Sequence, residues 1–255
     1  MVSAPLILVT VARTEGSVPR EVGAWMTVTA DGLAGTVGGG HLEFDAIARA
    51  RAALEGGELD AELRYPLGPS LGQCCGGVVW LRFERVAAGE DLSARLQRGP
   101  QRRVALFGAG HVGDAIARIS RDLPLALHWI DSRDGQFPAE PPAWGWRQEV
   151  CSPAADAVDD LQPGSAVLVM THNHAEDFDI LVACLRRQRE RGDLPFIGMI
   201  GSKTKWASFR QRLAARGFTD AERDRVTCPI GVPGVAGKQP AVIAVAVLAQ
   251  ILALP

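Results

Sequence analysis

Residues 103–113 read Arg103-Val104-Ala105-Leu106-Phe107-Gly108-Ala109-Gly110-His111-Val112-Gly113, a short apolar run that passes at once into three spaced glycines. A strand that delivers the chain into such a loop and then into a helix opens a dinucleotide-type unit. The glycines permit the tight turn, the close approach of backbone to phosphate, and tight helix–strand packing. Residues 114–119 continue with helical character, and residues 125–130 form the next expected strand, ending in Asp131. That acid stands 23 positions after Gly108, near the offset at which a carboxylate meets a ribose hydroxyl. Arg133 leaves the dinucleotide preference open, because Asp131 favours a free 2′-hydroxyl whereas an arginine beside it pairs with a 2′-phosphate.

Two more apolar runs, residues 166–170 and 196–200, are each followed by helical segments, 177–191 and 203–216. Alternating strands and helices imply a parallel sheet, with all the loops after the strands gathered at one edge, where open α/β sheets bind ligands. The residues this brings together are Gly108, Gly110, His111 and Gly113, then Asp131, then His172 and His174 around Asn173, and Ser202 with Lys203. Lys203 and Lys205 open a helix, where the dipole disfavours cations, so they suggest a phosphate contact; the plain alternative is two solvated side chains. For His172 and His174, polar ligand contacts are favoured over metal, since no CxxC or HExxH spacing accompanies them. His111 and His172 are also the candidates for an acid or base if the unit is an enzyme.

The first half reads differently. Residues 6–11 and 25–29 suit strands, Asp31-Gly32 suits a hairpin turn into residues 33–37, and Gly38, Gly39 and Gly40 then lead into His41 and a helical apolar spacing. A glycine loop at a helix start directs free amides and the positive dipole end at one spot, which favours an anion. His41 contacts an anion or substrate on this reading, or simply caps the helix or faces water. Gly72-Gln73-Cys74-Cys75-Gly76-Gly77 follows, placing soft thiols between paired glycines ahead of a strand at residues 78–83. This is either a ligand loop or a bulge. The expected division is a small α/β domain at 1–88, a linker at 89–101 containing Gly89, Gly99 and Pro100, and a Rossmann-like domain at 102–255.

Bulk properties exclude several classes. Residues 1–101 carry a net charge of −3 and residues 102–255 of +1, so neither half presents a nucleic-acid footprint. Five scattered cysteines without a signal-like start argue against a secreted disulfide framework and for reduced thiols in a cytoplasmic protein. Cys151, Cys184 and Cys228 read as small buried residues. The apolar stretch at 241–254 makes a helix of about 21 Å, short of the ~30 Å hydrocarbon core, so it is expected to be buried under a sheet or at a subunit contact rather than in a membrane.

With these motifs assembled, the chain resembles the xanthine dehydrogenase accessory proteins, the XdhC/CoxI family, over nearly its whole length. The resemblance rests on residues 15–19 (EGSVP), 35–43 (GTVGGGHLE), 72–77 (GQCCGG), 107–113 (FGAGHVG), 171–177 (THNHAED), 198–203 (GMIGSK) and 229–234 (PIGVPG). It implies a non-enzymatic maturation factor that binds molybdenum cofactor, a phosphorylated pterin carrying the metal, while a cysteine desulfurase installs the terminal sulfur. The factor then delivers the cofactor to apo xanthine dehydrogenase. On that reading Cys74, Cys75 and Gly76 contact the cofactor together with Gly38 to His41, soft sulfur suiting a labile sulfido ligand. Family members carry a helix ahead of the first strand, and this chain begins almost at that strand, so a contact made by that helix is expected to be missing. A homodimer through the final helix is a further expectation. The competing reading is an NAD(P)-dependent oxidoreductase built on the Rossmann-like half, and a third is a nucleotide-binding sensor or scaffold.

Overall fold

The structure is a computed structural model that describes residues 4–68, 76–92, 96, 101–139 and 146–255. The chain divides into two compact units, Met1–Gly99 and Pro100–Pro255. The first unit is an antiparallel sheet covered by one helix. Its elements are β1 (Leu6–Glu15), β2 (Trp25–Val28), β3 (Leu33–Gly35), α1 (Gly40–Leu54), β4 (Glu62–Pro66) and β5 (Val78–Val86), with sheet order β3-β2-β1-β5-β4. Alternation in β1 sends Ile7, Val9 and Val11 to the helix-covered face and Leu6 and Leu8 to the other, where Val86 and Leu92 meet them. The α1 residues that pack on the sheet are Leu42 and three alanines, Ala46, Ala50 and Ala53. Side chains this small let the helix axis lie close to the strands.

Strand β4 is absent from the sequence-based expectation. Its ELRYP run has one buried residue, Tyr65, and it lies at the sheet edge, where no continuous apolar run is required. The Tyr65 hydroxyl donates to Asp45 on α1 at 2.7 Å, which fastens the edge strand to the helix. Strand β3 is shorter than expected, three exposed residues at the opposite edge.

In the second unit the strands are β6 (Arg102–Phe107), β7 (Leu125–Asp131), β8 (Arg147–Val150), β9 (Ala166–Val169), β10 (Phe196–Met199) and β11 (Val226–Thr227). The helices are α2 (His111–Ser120), α3 (His174–Arg191), α4 (Lys203–Ala215), α5 (Asp220–Arg223) and α6 (Pro240–Leu252), with a 3₁₀ turn at Ala154–Val158. Every pairing is parallel, and the order is β11-β10-β9-β6-β7-β8. Counted within the unit this is 3-2-1-4-5-6, the doubly wound order, whose direction reverses between β6 and β9.

Period-2 alternation divides the core between two faces. Val104, Leu106, Leu127 and Trp129 meet α2 and α6, whereas Ala105, Phe107, Val167 and Val169 meet α3. The final helix buries Ala244, Val247, Leu248 and Ile251 against this sheet, as its composition predicts, and leaves Val245 and Leu252 exposed. Strands β8 and β11 lie at the two edges; RQEV and VT carry no apolar run, and neither is anticipated from sequence. Among the described residues no helix is long and apolar enough to cross a membrane.

Candidate functional site

At the β6/β9 reversal the two following loops diverge to opposite sheet faces and leave a crevice above the strand ends. A cleft of about 980 Å³ occupies it, lined by Ala109, Gly110, His111, Met170, Thr171 and His172, and on its far side by Arg118, Arg133 and Phe137. Three glycines shape its floor in three different ways. Gly108 has φ +116°, and a Cβ there would strike the Met170 carbonyl across the switch point. A Cβ on Gly113 would strike the Gly108 carbonyl, so helix and strand could not approach as they do. Gly110 has an ordinary φ of −83°, and a Cβ there would meet nothing within 4 Å. Buried Trp129 secures the turn by donating from Nε1 to the Gly108 carbonyl at 3.0 Å.

Asp131 stands where the spacing places it, but its carboxylate is engaged within the chain. Oδ2 accepts from the Ala109 amide at 2.6 Å and from Arg133 Nη2 at 3.0 Å, and Oδ1 accepts from the Arg133 amide and Nε, both at 2.9 Å. Four donors fill the four acceptor positions of a carboxylate. Burial alone would raise the Asp131 pKa; the Arg133 guanidinium and the two amides outweigh it and hold the group below the usual carboxylate range. The reason sequence spacing misses this is local: a residue two places along a sharp turn folds back onto the acid it follows.

The loop after β9 is pinned by a second buried carboxylate. Asp177 is fully buried; its Oδ1 accepts from the Thr171 amide and hydroxyl, each at 2.9 Å, and Oδ2 accepts from Lys205 Nζ at 2.6 Å. Lys205 also donates to the Ile200 carbonyl at 3.2 Å. It therefore ties the β9 and β10 loops together and is not the exposed phosphate contact its helix-start position suggests. Lys203 is exposed, and Ser202 caps α4 by accepting from the Lys205 amide at 3.1 Å. His172 is exposed in the cleft wall with Nδ1 4.0 Å from Glu176, whereas His174 is the exposed first residue of α3 and lies outside the cleft lining.

In the first unit three of the sequence motifs converge. Gly38, Gly39 and Gly40 all have positive φ, and a Cβ on Gly38 would lie 2.5 Å from Pro19 Cγ, which seats the 15–19 loop on the glycine triplet. A Cβ on Gly77 would strike the Ser17 and Glu15 carbonyls, whereas Gly76 has open space. The close approach that Gly77 requires is thus made by the chain's own backbone. Glu43, in the first turn of α1, turns back so that Oε2 accepts from Thr36 Oγ1 and from the amides of Val37 at 3.1 Å and Gly39 at 3.2 Å. These amides of the anticipated anion cradle hold an internal carboxylate, leaving exposed Gly40 and His41 at its rim. An acid one turn into a helix is the available sequence signal for this seat.

Cys74 and Cys75, with Gly72 and Gln73, lie outside the described residues. Among the other thiols only Cys184 is buried; burial pushes its pKa up to about 12 and that of half-buried Cys228 up to about 11, and Cys151 is raised as well. None of these three is a thiolate at neutral pH. Among the described residues no three His, Cys, Asp or Glu side chains converge as a metal site.

Comparison with known proteins agrees with this architecture. A curated relative from Escherichia coli (strain K12), described as the uncharacterized protein YqeB, is 28% identical over 257 residues, which cover 97% of this chain and 43% of that protein. The chain thus spans less than half the length of that relative. A solved Bacillus halodurans structure described as a xanthine dehydrogenase shares the fold with a TM-score of 0.71 at 22% identity, over 98% of this chain and 91% of that one. Residues 104–251 match the family model of the XdhC Rossmann domain and residues 3–66 that of the XdhC and CoxI family. With both models matched in order, the chain belongs to the XdhC and CoxI family and carries its Rossmann domain at residues 104–251.

Proposed function

We propose that this chain is a maturation factor for a xanthine dehydrogenase, holding molybdenum cofactor during sulfuration by a cysteine desulfurase and passing it to the apoenzyme. The observation that carries this reading is the convergence of the 15–19 loop, the Gly38–Gly40 triplet and the Gly76–Gly77 pair at one place in a family member's first unit. Open space over Gly39 and Gly76 suits close approach of a flat pterin, and His41 at the helix start offers a polar contact. Cys74 and Cys75 immediately precede Gly76 in the sequence and are the thiols this reading assigns to the cofactor. When bound, the cofactor supplies the redox-active metal, and the chain's own work is to retain it and shield it from water.

Apo xanthine dehydrogenase incubated with sulfurated molybdenum cofactor should regain activity faster and to a greater extent when this chain is present. Equal recovery with and without it rejects the proposal. Replacing Cys74 and Cys75 together with alanine should lower the pterin and molybdenum retained per chain. For the homodimer, exposed Val245 and Leu252 on α6 are the supporting surface, and light scattering of Leu252→Glu against the parent protein is the test.

An NAD(P)-dependent oxidoreductase is the second reading, favoured by the complete glycine loop at a 3-2-1-4-5-6 switch point with His111 and His172 beside it. Steady oxidation of reduced nicotinamide by protein lacking pterin would support it over the carrier.

A further inference from the structure

We propose that the cleft at the β6/β9 switch point takes a dinucleotide bearing a 2′-phosphate on its adenosine ribose, and that Arg133 selects that phosphate. This concerns the second unit alone and stands whether or not the first unit carries molybdenum cofactor.

Four observations support it. First, the cleft is of dinucleotide size and lies where doubly wound sheets bind such ligands. Second, Gly108 and Gly113 are required by the chain's own packing, whereas Gly110 is not; its φ is ordinary and no atom lies near its missing side chain. Bare backbone at the helix start is what a diphosphate needs in order to approach the α2 amides.

Third, the Asp131 carboxylate has no acceptor position left. A free ribose diol is recognised by donating its hydroxyl protons to this acid, and here the Ala109 amide and three groups of Arg133 already fill it. Fourth, Arg133 uses Nε and Nη2 on Asp131, which fixes the guanidinium plane and leaves Nη1 for a ligand; its side chain is 35% exposed and lines the cleft. Arg118 and His111 line the same cleft. The acids nearby are Asp114, one turn into α2, and Glu176, which His172 approaches at 4.0 Å. An arginine held rigidly by a buried acid recognises a phosphate monoester at low entropic cost, because its plane is set before the ligand arrives.

The test is isothermal titration of the whole 255-residue chain with NADP⁺ and NAD⁺, repeated with adenosine 2′,5′-bisphosphate and 5′-AMP. The 2′-phosphorylated member of each pair should bind at least about tenfold more tightly, the ratio expected for one charge-assisted hydrogen bond. Arg133→Ala frees the Asp131 carboxylate, so NADP⁺ should weaken while NAD⁺ tightens and the ratio falls to about one or inverts. Gly110→Ala should abolish binding of both dinucleotides with an unchanged melting temperature, since the added methyl fills only ligand space. Equal or tighter binding of NAD⁺ by the parent chain overturns the proposal, as does no binding of either dinucleotide at millimolar concentration. A preference for NADP⁺ that survives in Arg133→Ala overturns the role of Arg133.

Discussion

Replacing Lys205 with methionine keeps most of the aliphatic stem and removes the ammonium that lies 2.6 Å from Asp177. The two Thr171 donors both serve Oδ1, so Oδ2 would lose its partner inside a side chain that is 1% exposed. A buried carboxylate stripped of its cation costs about 3–5 kcal/mol. For a unit of this size each kcal/mol lowers the melting temperature by about 2–4 °C, so Lys205→Met should lower the melting of the second unit by roughly 6–20 °C. Thermal unfolding of the whole chain followed by near-ultraviolet circular dichroism would read this, because Trp129, Trp146 and Trp206 belong to that unit. Asp177→Asn in the Lys205→Met background removes the stranded charge and should recover at least half the loss, while each single variant remains clearly destabilised. A loss below about 1 kcal/mol in Lys205→Met would refute the argument that this ion pair is what fastens the β9 and β10 loops.

Glycines 76 and 77 should respond oppositely to alanine: Gly77→Ala drives a methyl into the Ser17 and Glu15 carbonyls and should cost about 1–3 kcal/mol in chemical denaturation, whereas Gly76→Ala should be near neutral. Arg187→Met strips a side chain that is 1% exposed from Asp193 and from the carbonyls of Val158, Asp159 and Leu161, so a loss of about 3 kcal/mol or more is expected in the same assay. Burial depresses the His128 pKa despite the Glu149 carboxylate 2.7 Å away. Because the unfolded chain then takes up the proton first, near pH 6.5, stability should be intact above that pH and fall as pH drops through the lower folded pKa. His128→Gln should flatten the slope between pH 7 and pH 5.

The second unit was largely legible from residues alone. In β6, β7, β9 and β10 apolar runs coincide with burial on both faces, and Gly108 and Gly113 mark a turn and a contact that no other residue fits. The edges were not legible, because β4, β8 and β11 bury too little to leave a pattern in ELRYP, RQEV and VT. Positions along the chain were easier to read than side-chain partners. Spacing places His111, Asp131 and His172 at the ends of β6, β7 and β9, but it does not say that Arg133 will saturate the acid or that Lys205 will turn inward to Asp177. Those outcomes depend on which side chain completes a buried charge, a property of three-dimensional neighbours rather than of periodicity.

The inward turn of Glu43 gives the glycine triplet a permanent shape. Three successive residues with φ above +60° would otherwise sample many conformations, since nothing on their side chains restrains them. By gripping the Val37 and Gly39 amides, one carboxylate holds that rim in place. A molecule docking at this rim would therefore meet a mould already set and give up little affinity to ordering it, so the rigidity favours retention rather than opposing it.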